Sequence, residues 1–144
     1  MTTTTRSARF SLRASLCALA FAACASSTPQ TATLADAIGT WQLDATIPAG
    51  GRIPTMTIGK DGSVHGNGGV NRYAATLDTN GLRQGRWRMS AAQSTRMAGP
   101  QEAMALEQTL LDALQQADAA QIEDGRLCLL RDGKRLVRFL RPSF

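Results

Sequence analysis

The chain has 144 residues, with 16 Lys and Arg against 11 Asp and Glu, one His and three Cys. That length suits one domain with a single core. So few Cys and His exclude both a disulfide framework and a zinc centre, which needs three or four ligands, and the formal charge of +5 is unevenly placed along the chain.

The opening stretch MTTTTRSARFSLR holds Arg6, Arg9 and Arg13 without an acid, and the apolar run ASLCALAFAA then leads to Cys24. This is the layout of a secretory signal. The run is far short of the roughly 20 residues that a bilayer-spanning helix needs. F-A-A-C at 21–24 resembles a bacterial lipobox, whose cysteine is acylated and becomes the mature amino terminus. Phe21 stands where Leu is usual, so ordinary signal-peptidase cleavage after Ala22 or Ala25 stays open. The expected organisation is a lipoprotein signal over 1–23, a flexible tether over 24–37 and one domain over 38–144. Small polar residues in ASSTPQTATLADA suggest the tether. A multiply acylated Cys24 would keep the chain at the membrane. Ala25 in place of Asp favours the periplasmic face of the outer membrane, the alternative being a soluble periplasmic or secreted protein. With the signal removed, 13 basic residues face 11 acidic ones, a charge of +2. No nucleic-acid partner is expected, because such binding needs a clustered basic footprint. Cys128, in RLCLLR, is left as the single unmodified thiol and reads as a small apolar strand residue.

From Trp41 onward the apolar period is two: Trp41, Leu43, Ala45 and Ile47, then Met56 and Ile58, then Tyr73, Ala75 and Leu77, then Trp87, Met89 and Ala91. Asp61-Gly62, Asn80-Gly81, Asp124-Gly125 and Asp132-Gly133 lie between such runs and supply the positive φ angles of tight hairpins. Between the early and late strands, PQEAMALEQTLLDALQQAD places Ala103, Leu106, Leu110, Leu114 and Ala117 on one helical face, with Pro100 at the first helical position and Glu102 near the positive helix end. Three further strands follow, the last two apolar on both faces (Leu127, Leu129 and Leu130; Val137, Phe139 and Leu140), as expected if one face meets the interior and the helix covers the other. The sum is a mainly β (α+β) fold, a small antiparallel barrel-like meander of about eight strands, closed or nearly so, with one amphipathic helix before the last three.

The glycine-rich stretch VHGNGGVNRY leads into a strand and not a helix, so it lacks the context of a phosphate loop. Gly66 to Gly69 read instead as a corner where the sheet turns. Asn71 is in phase with Tyr73 and Leu77, so its amide points inward and needs partners. The favoured account makes it a tie to the loop holding Thr95 and Arg96. The functional account makes Asn71, Arg72, Tyr73, Thr95 and Arg96 the rim of a ligand mouth.

Three blocks, GTWQL, VHGNGGVNRYAATL and STRMAGP with LEQTLLDAL and DGRLCLL, together resemble the META domain, the HslJ-like family of small bacterial envelope proteins. The resemblance implies a compact antiparallel barrel-like sheet with one helix, and a link to heat-shock and envelope stress without an established catalytic activity. Such proteins commonly have cysteines where this chain has Val70 and Gly99, and the joint absence implies that these positions are neighbours in space.

His65 is isolated from any serine or acid that spacing could place beside it, G-x-S-x-G is absent, and no acid pair stands out. The expectation is therefore no enzyme, no metal and no cofactor. Arg86, Arg88, Arg131, Arg135, Arg138 and Arg141 read as a solvated outer surface that could also meet anionic headgroups. The leading functional expectation is a monomeric, non-enzymatic envelope protein, anchored to the membrane through acylated Cys24 and acting in stress tolerance through an envelope protein partner or surface contacts. The rivals are a small-ligand-binding barrel in the periplasm and an inhibitor of an exported enzyme acting through loop 92–99.

Overall fold

The computed structural model describes residues 28–143, so the signal over 1–23 and Cys24 lie outside the described residues. Nine strands and three helices follow in chain order: β1 Gln30–Thr31, α1 Leu34–Ala37, β2 Gly39–Leu43, β3 Thr55–Ile58, β4 Ser63–Asn67, β5 Arg72–Thr76, α2 Thr79–Leu82, β6 Gln93–Ser94, α3 Gln101–Gln116, β7 Ala119–Glu123, β8 Arg126–Arg131 and β9 Lys134–Leu140. They form one antiparallel sheet in the order β1-β7-β8-β9-β2-β3-β4-β5-β6. The fold is mainly β, with one long helix before the last three strands.

The sheet does not close. Its two edges, β1 and β6, are only two residues long. The gap is crossed by an irregular segment that bridges singly to both sides, Met89 to Leu77 and Arg86 to Ala119. Its amides follow suit: Trp87 donates to the Asp118 carbonyl at 2.8 Å, while the Arg88 carbonyl accepts from Asp78 at 2.9 Å. This is where a regular strand of Trp87, Met89 and Ala91 was expected. Gly85 at φ +75 breaks the extended run just before it, and Ala91 is exposed.

Three of the four Asx-Gly pairs make the turns their chemistry favours. Asp124-Gly125 and Asp132-Gly133 both have positive φ at both residues, the requirement of a two-residue hairpin that matches strand twist. Asp61 accepts from the Ser63 amide and hydroxyl, with Gly62 at φ +84 beside it. Asn80-Gly81 differs: it lies inside α2, whose start is capped by the Asp78 carboxylate.

The core gathers Trp41, Met56, Ile58, Val64, Tyr73, Leu77, Trp87, Leu127, Leu129 and Phe139 from the strands with Leu110 and Leu114 from α3. The helix thus packs on the same face of the sheet as these strand residues, and does not cover the outer side of β8 and β9. On that other face of β8, Cys128 is buried, with its thiol directed at Glu123. Pro100 serves as the residue before the first helical one, and α3 begins at Gln101.

The flexible tether expected over 24–37 is corrected for its second half. Gln30–Thr31 pairs with β7, Thr33 and Asp36 form a reciprocal capping box on α1, and Ala32 and Ala37 are fully buried. Small residues read as linker in sequence, yet small side chains are what fit beneath a sheet edge. The segment is further fastened by Trp41, whose indole donates to the Ala37 carbonyl at 2.7 Å, and by Arg141. The Arg141 guanidinium lies 3.7 Å from the Trp41 ring centre and donates to the Asp36 and Ile38 carbonyls.

Candidate functional site

The glycine-rich stretch divides into two roles. Gly66 lies within β4, opposite Met56 and Tyr73, and a side chain there would collide with the Thr55 carbonyl. Gly68 to Asn71 form the β4–β5 turn, with Gly69 at φ +122 and the Gly68 amide donating to the Asn71 carbonyl at 2.8 Å. It is a hairpin turn with a close approach before it, in place of the expected corner.

Under this turn sits Glu107, from the first half of α3, only 7% exposed. One carboxylate oxygen accepts from the backbone amides of Val70 at 3.1 Å and Asn71 at 2.6 Å, and the other from Asn71 Nδ2 at 2.8 Å. It makes no ion pair among the described residues. A buried carboxylate without a cation can be stabilised by N–H donors converging on its charged form. Gly68 permits the approach, because a Cβ there would lie 2.6 Å from the Glu107 Cγ.

Asn71 is 4% exposed and joins three segments. Its Oδ1 accepts from the Met97 amide at 2.7 Å and the Thr95 hydroxyl at 2.9 Å, while Nδ2 also donates to the Met97 carbonyl. Among the described residues no buried side-chain nitrogen or oxygen lacks a partner. The structure therefore joins Asn71 to Thr95, whose hydroxyl also accepts from the Arg72 amide. Tyr73 is buried and donates to the Thr55 carbonyl, and its burial pushes the phenol pKa well upward. Arg96 is exposed and takes no part in this cluster. Sequence reasoning missed Glu107. The available signal was its spacing with Ala103, Leu110 and Leu114, which puts an acid in the middle of the buried helix stripe.

Outside the tie, Arg52, Asn67, Val70, Arg72, Thr95 and Met97 line an open cleft of about 340 Å³. Met97 is 56% exposed, and neither arginine makes an ion pair among the described residues. Two guanidinium groups beside apolar surface can hold an anion that has a short apolar part. Among the described residues no three His, Cys, Asp or Glu side chains are grouped as metal ligands would be. His65 is exposed on β4, opposite Thr57 and Ala74.

Val70 and Gly99 are neighbours, as the resemblance implied. A Cβ built at Gly99 would lie 3.3 Å from the Val70 Cβ and 2.6 Å from one of its methyls. The valine methyls occupy the space that a side chain at position 99 would need. A family model described as the META domain matches residues 32–143. No curated protein and no solved structure matches the chain.

Proposed function

The chain belongs to the META-domain family, and we propose that it is a non-enzymatic, lipid-anchored envelope protein that serves stress tolerance through protein or surface contacts. The observation that carries this reading is the sequence itself: F-A-A-C closes an apolar run preceded by three arginines, and Cys24 stands only six residues before the first paired strand. The anchor would hold the domain at the periplasmic face of the outer membrane. The polar cluster of Asn71, Thr95 and Glu107 supports a non-catalytic role, because its hydrogen bonds are spent on one another and on backbone groups. A reactive centre needs a group left available for substrate.

The test is labelling with radioactive palmitate in cells producing the full chain. Label in the wild type and none in Cys24→Ala is the expected result; equal label in both rules out the anchor. Heat or detergent challenge of cells lacking the gene then tests the role, with rescue expected from the wild type and not from Cys24→Ala.

A second reading follows from the cleft between Arg52 and Arg72: the domain holds a small anionic ligand on its outside. Trp41, Trp87, Met56 and Phe139 fill the interior, so the outer cleft suits a ligand better than the barrel centre. Arg52→Gln with Arg72→Gln should abolish binding of a short anionic amphiphile in calorimetry, and no heat from the wild type removes this reading.

A further inference from the structure

Six arginines on the outer surface are not equivalent once their contacts are known. Arg131 pairs with Asp132, Arg135 with Glu123 and Arg138 with Asp44, while Arg141 is fixed on Trp41 and two carbonyls. Among the described residues Arg86 and Arg88 have no such partner, and Arg83, at the end of α2, adds a third exposed guanidinium without an ion pair. The nearby acids are engaged elsewhere: Asp78 caps α2, and the Asp118 carboxylate accepts from the Asp132 amide.

This basic segment touches the strand through which the chain enters the domain. β1 and Arg86 bond to the same edge of β7, at Gln121 and Ile122 and at Ala119 respectively. Gly85 lies so close to Thr31 that a side chain there would run into the threonine methyl. From Gln30 back to Cys24 is six residues, a reach of about 20 Å when fully extended. A domain held on so short a lead cannot turn every face to the membrane, and the faces nearest the lead are the ones that meet it.

We propose that the segment bearing Arg83, Arg86 and Arg88 rests on the lipid surface and takes the phosphate groups of anionic phospholipids, an inference that rests on the lipid anchor at Cys24. Each guanidinium near such a surface contributes roughly a fivefold gain in affinity, and salt screens it. The aromatic between them, Trp87, points into the core, so the contact is electrostatic and not insertional.

The test uses the processed full-length protein, reconstituted into phosphatidylcholine vesicles with or without phosphatidylglycerol, and reads amide hydrogen exchange over residues 83–88. Exchange should slow about fivefold or more on the anionic vesicles and recover at high salt. Replacing the three arginines by glutamine should erase the difference, whereas replacing them by lysine should keep it. Equal exchange on the two vesicle types in protein that floats with both overturns the contact while leaving the anchor standing. Failure to float with pure phosphatidylcholine removes the anchor, and the proposed orientation with it.

Discussion

A carboxylate as buried as Glu107, without a guanidinium or ammonium beside it, must draw its stabilisation from N–H groups, and Asn71 supplies two of its three donors. Asn71→Ala keeps the backbone donor but removes Nδ2, and it strands the Met97 amide and the Thr95 hydroxyl that pointed at Oδ1. With about 1 to 3 kcal/mol for the buried Glu107 oxygen left without Nδ2, and less for the Met97 amide and Thr95 hydroxyl, which belong to exposed residues that water can reach, the substitution should cost about 2 to 3 kcal/mol in urea unfolding. A loss under about 1 kcal/mol would return Asn71 to the ligand-rim account. The inward direction of Asn71 was legible from its phase with Tyr73, and its link to the Thr95 loop from the need of a buried amide for partners. Its acidic partner was not legible, because a glutamate in a helix reads as solvated unless its exact place in the apolar stripe is weighed. At Cys128, burial first and then the hydrogen bond to the Glu123 carboxylate push the thiol pKa up, against the opposing pull of Arg135. The thiol should resist alkylation at neutral pH in the native protein and label fully in urea. Because the folded chain holds this proton more tightly than the unfolded one, the associated stability is whole below the ordinary thiol range and declines as pH rises through it.

Elements reveal their periodicity in sequence far better than their partners. The period-two runs around Trp41, Met56 and Tyr73 became strands because alternate burial is imposed by the pleat itself. The segment around Trp87 has the same pattern and is irregular, since pattern records which side chains are buried and not whether the backbone finds a ladder. Residues 30–37 failed for the opposite reason: their burial depends on contacts over a hundred positions away, from Arg141 to the end of α1. Arg141→Ala removes those two hydrogen bonds and the stacking on Trp41, the latter alone contributing about 0.5 to 2 kcal/mol. Amide exchange over residues 30–38 should accelerate markedly while β3 and β4 remain protected. Uniform acceleration across the sheet would mean that the segment is no separate unit. The turn and the loop before α3 meet at Val70 and Gly99, with a Cβ separation close to the 3.5 to 4.5 Å of a disulfide. Val70→Cys with Gly99→Cys should close intramolecularly on oxidation and, for a loop of about 30 residues, raise stability by about 3 to 4 kcal/mol. Formation of intermolecular dimers alone would contradict the observed adjacency.

For the molecule as a whole, the consequence of an unclosed sheet is that one side chain stands where a ladder would otherwise complete the wall. Trp87 is fully buried, its indole donates to the Leu114 carbonyl at 2.8 Å, and its backbone amide donates to the Asp118 carbonyl. It therefore ties α3, the strand start at β7 and the crossing segment to one another, and its bulk fills space that an eight- or nine-stranded wall could otherwise leave to a small molecule. Trp87→Ala loses the buried ring and leaves the Leu114 carbonyl without that donor, so it should cost about 3 to 5 kcal/mol in equilibrium unfolding. It should also loosen the wall locally, with faster exchange over residues 85–89 and 118–120 than over the β2–β3 hairpin, because those two segments hold each other across the gap. Trp87→Phe keeps most of the volume, loses part of the ring and leaves the Leu114 carbonyl without its donor, so its cost should fall at about 1 to 3 kcal/mol, below that of the alanine variant. If both variants cost the same, the hydrogen bond and not the filling of the interior is what the tryptophan contributes, and a hollow centre able to accept a ligand becomes compatible with a stable wall.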